Sequence, residues 1–127
     1  MSTRCRVGYL NDDGTVDSIY VHNDGFIDGV GAALADEYTD AAKVRVLVDE
    51  GDHSTISGKV ESYRSLGESI EETASKHDAN ARDFYESAAG DNCDFAYLFD
   101  PDSSEWLVGT KRLNWKPRPL AVDLPPP

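Results

Sequence analysis

The chain has 127 residues, enough for one domain burying ~65% of its unfolded surface, and its 24 acidic against 12 basic residues give a formal charge of −12. A field of that sign repels DNA and RNA, whose binding is driven by phosphate neutralisation, so no nucleic acid polymer is expected as a partner. No apolar run approaches the ~18 residues of a membrane span, and Met1 to Arg6 lacks the apolar core of a secretion signal, so a cytoplasmic protein without a membrane partner is expected.

Three readings of the acidity stay open: an ordinary soluble surface, adaptation to a salty cytoplasm, or mimicry of a nucleic acid that fills a basic cleft of another protein. Cys5 and Cys93 are too few for a disulfide framework and read as buried free thiols.

In chain order, Arg4 to Leu10 alternates apolar and polar residues as a half-buried strand. Asn11-Asp12-Asp13-Gly14 is a hairpin turn, because Asp-Gly accepts the positive φ such turns need, and Thr15 to His22 returns antiparallel. The corner His22 to Phe26 reverses the chain and sets the turn into the first helix. Val30, Ala33, Leu34 and Tyr38 then recur at helical spacing over Gly29 to Tyr38. Asp40 is a fresh N-cap for a helix from Ala41 to Glu50, with Gly51 as the residue that ends it.

Gly51 to Gly58 reads as a connection, Lys59 to Arg64 as a short strand, and Ser65 to Lys76 as a loop or weak helix. With Asp78 as N-cap, Ala81, Phe84, Tyr85 and Ala88 make one face of a third helix that closes at Gly90. Asp94 to Phe99 and Glu105 to Thr110 form a second hairpin around Pro101. Lys111 to Pro127 reads as an extended tail, basic and then proline-rich, lying on the surface or against a partner chain without adding to the core. The expected fold is therefore α+β: an antiparallel sheet from N- and C-terminal β-hairpins, about three short helices, a single domain over 1–110 and a tail over 111–127.

No nucleophile elbow, phosphate-binding loop or Cys-His motif is present, so no catalytic residue is assigned. His22, Asp24 and His53 lack the ligand number and spacing of a metal centre, and neither metal nor cofactor is expected. The distribution of positive charge is more informative. Four of the twelve cationic residues fall in Lys111-Arg112-Leu113-Asn114-Trp115-Lys116-Pro117-Arg118. Such a local reversal fits a small anion, since guanidinium groups grip phosphate bidentately and Trp115 offers a stacking face. Pairing of these cations with the protein's own carboxylates, or with a neighbouring subunit, explains the run equally well. Arg64, beside a glycine-containing loop, is a second anion candidate. Of Phe84 and Tyr85, one enters the core and the other is placed nearer its rim, where it could stack on a base.

The order and spacing of Thr3-Arg4, Asp13-Gly14, Ser18-Ile19-Tyr20, His22, Asp24-Gly25-Phe26, Val30-Gly31 and Tyr38-Thr39-Asp40 resemble a family of small phage proteins. Gly51-Asp52, Tyr97-Leu98-Phe99 and Trp106-Leu107-Val108 continue the likeness. The family is the first class of Thoeris anti-defence proteins, sponges that bind cyclic ADP-ribose signals made by bacterial TIR-domain proteins and withhold them from their effector. The resemblance implies a non-enzymatic binder of a cyclic nucleotide-derived signal, in some members also of cyclic oligonucleotides at separate sites, assembled as a homo-oligomer, dimer or hexamer. It also implies a pocket with arginines on the pyrophosphate and an aromatic and a polar group around the base. Carried over, Arg64 and Arg112, with Lys111 beside it, are the cations, Phe84 or Tyr85 the aromatic, and Asn92 or Asp94 the polar contact. Asn23 and Ile27 stand where the family usually has Trp and Pro, and the loop Tyr63 to Glu68 has one arginine fewer. The alternatives are an acidic interaction protein blocking a basic cleft and, third, an enzyme that cleaves the signal.

Overall fold

Both expected hairpins form, and they join through a parallel pairing that leaves the first strand in the middle of the sheet. In a computed structural model, which describes residues 3–56, 60–62 and 75–122, the strands are β1 (Cys5–Leu10), β2 (Val16–Val21), β3 (His53–Ile56), β4 (Val60–Ser62), β5 (Lys76–Asp78), β6 (Phe95–Asp100), β7 (Glu105–Thr110) and β8 (Arg118–Pro119). The helices are α1 (Ala32–Glu37), entered through a π-helical turn at Ile27–Gly31, α2 (Ala41–Asp49) and α3 (Ala81–Gly90). The sheet order is β4-β3-β2-β1-β6-β7-β8, with β5 also on β2. Pairings are antiparallel except β1 with β6 and β2 with β3.

The pleat sends alternate residues to opposite faces, and helices cover both. Cys5, Val7, Ile19, Val21, Tyr97 and Phe99 meet Val30 and Leu34 near the first helix and Val44, Leu47 and Val48 of α2. On the reverse face Val16, Ala96 and Leu98 meet Phe84, Tyr85 and Ala88 of α3. Each large side chain so buried stabilises the fold by about 1.5–3 kcal/mol. Ser18, fully buried among the apolar groups, accepts from Arg6 Nε at 3.0 Å, and the Arg6 guanidinium reaches Asp91 at 2.8 Å.

The local signals mostly act as read. Gly14 holds φ +87° in the first hairpin, Asp40 accepts from the Lys43 N–H at 2.9 Å to start α2, and Gly51 at φ +86° follows its end. The expected α+β fold, with a mainly antiparallel sheet built from the two hairpins and three helices, is the one observed; the parallel contacts are β1 with β6 and β2 with β3. Three expectations are corrected. Asn80, not Asp78, caps α3, accepting from the Asp83 N–H at 2.9 Å, while Asp78 belongs to β5 and accepts from the Ser87 hydroxyl at 2.8 Å. The connection after Gly51 contains β3. Finally, the segment after Thr110 contributes to the fold: β8 pairs with β7, and Leu120 is 1% exposed in the core beside Tyr97. The readings of Lys59, Tyr63, Arg64 and most of Ser65 to Lys76 lie outside the described residues. Among the described residues no helix is long and apolar enough to cross a membrane.

Candidate ligand-binding cleft

The corner Asp24-Gly25-Phe26 is fastened to the start of β1. The Gly25 N–H donates to the Thr3 carbonyl at 2.8 Å, the Gly25 carbonyl accepts from the Tyr97 hydroxyl at 2.8 Å, and the Val30 N–H donates to the Asp24 carbonyl at 2.8 Å. Glycine is required at this approach, since a Cβ on Gly25 would lie 2.8 Å from the Thr3 oxygen and 2.9 Å from the Arg4 carbonyl carbon. The result is a rigid shelf with Phe26 projecting from it, 42% exposed.

Opposite the shelf, the chain leaving β7 forms a 3-10 turn, Lys111–Leu113. The Thr110 hydroxyl caps it, accepting from the Leu113 N–H at 3.2 Å, and the Lys111 N–H donates to the Asp94 carbonyl at 3.0 Å. Asp94 is also tied to β1, its N–H donating to the Arg4 carbonyl at 3.0 Å. These bonds place Lys111 and Arg112 with Phe26, Ile27, Asp94, Phe95 and Arg118 of β8 in the lining of one cleft of about 950 Å³. The volume falls in the range of small-molecule sites. The Phe95 ring is kept in place by stacking on Tyr97, with centroids 6.3 Å apart and planes 8° from parallel.

Three arginines outside the cleft are ion-paired. Arg6 pairs with Asp91 at 2.8 Å, Arg45 with Asp17 at 2.9 Å and Asp49 at 2.8 Å, and Arg82 with Glu86 at 3.4 Å. Lys111 and Arg112 are exposed and have no ion-pair partner among the described residues. For Lys111 and Arg112, self-neutralisation within the described residues is therefore not the explanation. Three cations and two phenyl rings around one carboxylate can hold a phosphate-bearing molecule with a planar base.

Of the residues expected at the site, Asp94, Lys111 and Arg112 share this cleft. Arg64 lies outside the described residues. Phe84 is fully buried against Gly8 and Val16 on the reverse face of the sheet, so its reading as a ligand contact is corrected: the apolar stripe of α3 faces inward. Tyr85, 7% exposed, packs on the same face against Gly109 and borders a second, smaller cleft with Trp115, away from Lys111 and Arg112. Burial pushes its hydroxyl pKa up. Asn92 is an exposed left-handed residue at φ +60° after α3 and does not line the larger cleft. Sequence reasoning missed Phe26 and Phe95 as lining residues, while Arg118 comes from the basic run it singled out. An aromatic at a chain corner that no strand or helix periodicity claims was the available signal for Phe26.

His22 accepts or donates a 2.9 Å hydrogen bond with the Tyr20 hydroxyl through Nδ1. Among the described residues no group of three or more His, Cys, Asp or Glu could hold a metal ion. Comparison of the chain with protein-family models, with curated proteins and with solved structures gave no match.

Proposed function

We propose that the chain binds and sequesters a cyclic, nucleotide-derived immune signal of the cyclic ADP-ribose class and withholds it, uncleaved, in the cytoplasm of a phage-infected cell. The family resemblance supplies the class of signal. The supporting observation is the pair Lys111 and Arg112, exposed and without an ion-pair partner among the described residues, lining one cleft with Phe26 and Phe95. In a protein of charge −12, a diphosphate needs close, directional donors to offset the surrounding field. Lys111, Arg112 and Arg118 supply them, the phenyl rings of Phe26 and Phe95 flank the base, and Asp94 accepts from ribose hydroxyls or an exocyclic amine. Arg64 is assigned by the resemblance alone.

Withholding is mass action: an affinity in the nanomolar range, on the order of −12 kcal/mol, empties the free pool when protein is in excess. The test is to incubate the chain with cyclic ADP-ribose isomers, remove unbound ligand, denature by heat and analyse what is released. Intact ligand supports sequestration. Altered ligand makes the chain an enzyme, and no retained ligand favours an acidic interaction protein instead.

A further inference from the structure

Helix α2 carries an apolar stripe on the side turned away from the sheet. Its inner residues Val44, Leu47 and Val48 are buried in the core. Of the exposed large hydrophobic residues among those described, Phe26 and Leu113 line the cationic cleft and Val122 ends the described chain, whereas Val46 stands 59% exposed in the middle of α2. With Tyr38, Ala42 and the edge of Leu47 it lines an open groove of about 370 Å³, and Lys43 and Glu50 complete the lining.

The two charges have a register. Lys43 lies in the first turn of α2 and Glu50 is its right-handed C-cap, two helical turns further on, so the two share a face with Val46 between them. About 10 Å of axial rise separates them, and neither has an ion-pair partner among the described residues. The stripe is therefore self-complementary, apolar at its centre, cationic at one end and anionic at the other. A two-fold axis level with Val46 and Leu47 sets a second α2 antiparallel on the first and brings Lys43 opposite Glu50 twice, because a two-fold contact pairs i with j and j with i. Ala42 has no side chain beyond Cβ to hold the helices apart.

The charge pattern also selects the occupant. A basic partner would be drawn to the acidic surface at large and repelled by Lys43, and an acidic one would be repelled by Glu50. A second copy meets neither conflict. We propose that the outer stripe of α2 is a two-fold contact with a second copy of this chain, in which Val46 packs on the partner's α2 and Lys43 pairs with Glu50 of the partner subunit. A nine-residue helix makes a contact at the small end of specific interfaces, and two chains of charge −12 repel at long range, so the association is weak and concentration-dependent. The stripe shares no residue with the cationic cleft and stands without the ligand assignment.

The experiment is sedimentation equilibrium of the full chain at concentrations up to ~1 mM, beside Lys43→Glu, Glu50→Lys, the double variant K43E/E50K and an equimolar mixture of the two single variants. Circular dichroism verifies folding, which these changes favour: an acid in the first turn and a base at the end complement the helix dipole. The wild type is expected to self-associate, and each single variant, which sets like charges opposite one another, to do so at least ~tenfold more weakly. The double variant and the mixture restore opposite charges and are expected within ~threefold of the wild type. Net charge alone predicts otherwise, since Glu50→Lys makes the chain less acidic and would then tighten association. Val46→Ser, which leaves the charges in place, is expected to weaken it. A monomeric wild type, a Glu50→Lys or Val46→Ser chain that associates as well as the wild type, or a double variant or mixture no better than the single variants overturns the proposal.

Discussion

The Lys111 N–H donates to the Asp94 carbonyl at 3.0 Å, so the turn that presents two cations is fixed to the strand start that presents the cleft's carboxylate. Because Asp94 is itself bonded to Arg4, and Gly25 to Thr3, the cationic side and the aromatic side of the cleft are both referenced to the beginning of β1. The cleft is thus built by main-chain bonds on a rigid frame rather than by the side chains that would contact a ligand.

Gly25→Ala tests that frame. Its Cβ would sit 2.8 Å from the Thr3 oxygen and 3.0 Å from the Cys5 Cβ, neither of which is the end of a flexible side chain. Relief by backbone movement is expected to cost about 1–3 kcal/mol in denaturant unfolding and to displace Phe26. A variant as stable as the parent, with unchanged ligand affinity, would show that the corner does not position the cleft.

Leu120→Ala tests whether the C-terminal segment is part of the domain. Leu120 is 1% exposed and its Cδ1 would lie 3.4 Å from a Cβ on Gly31. Chemical denaturation should show a loss of about 2–5 kcal/mol, the range for emptying a buried leucine site. A change within a few tenths would restore the reading of this segment as a surface tail.

Much of this fold is legible in the sequence where a residue's chemistry acts locally. Gly14, Asp40 and Gly51 adopt the turn, cap and helix-ending roles their side chains favour, and β7 begins and ends at the expected residues. The failures have a common cause. Lys76-His77-Asp78 carries no periodic signal; it is a strand because the edge of β2 offers it main-chain partners. Arg118-Pro119 pairs with β7 for the same reason, and that pairing is what delivers Leu120 to the core. Asp78 and Asn80 are both good caps two residues apart, and tertiary contact with Ser87 decides between them. At the site, charge reversal marks Lys111 and Arg112, but no local pattern indicates that the opening corner folds across to face them.

The pairing of β5 with β2 should depend on pH. His77 Nδ1 lies 2.6 Å from Asp17 Oδ1, and this hydrogen bond holds the imidazole above its ordinary value of 6.5. Burial alone would raise the Asp17 carboxyl, but hydrogen bonds from His77, Arg45 and Asn11 outweigh it and hold Asp17 below 3.8. A raised His contributes stability fully below the unfolded value and loses it as pH rises through the folded one; a depressed Asp loses its contribution as pH falls. Amide exchange along Val16 to Ser18 should therefore quicken as pH rises from 6.5 upward, beyond the intrinsic increase, and again in strong acid. In His77→Gln the alkaline change should vanish; its persistence would place the cause elsewhere.

The two thiols should be inert in the folded chain. Burial pushes Cys5 well above its ordinary range and Cys93 up to about 12, so little thiolate exists at neutral pH and neither sulfur is accessible. A thiol reagent at pH 7 is expected to label neither until denaturant is added, and then both. Rapid labelling of the native chain would mean that the start of β1 or the end of α3 opens readily.

The most direct test of the central claim is isothermal titration of cyclic ADP-ribose isomers into the chain and into the double variant K111E/R112E, both shown by circular dichroism to be folded. Reversing two exposed charges with no ion-pair partner among the described residues should leave thermal stability nearly unchanged, within about 0.5 kcal/mol. Binding by the parent, reduced by at least ~hundredfold in the variant, equivalent to ~2.7 kcal/mol, is the predicted result. Equal affinity in the two proteins would contradict the assignment of the cleft between Phe26 and Lys111.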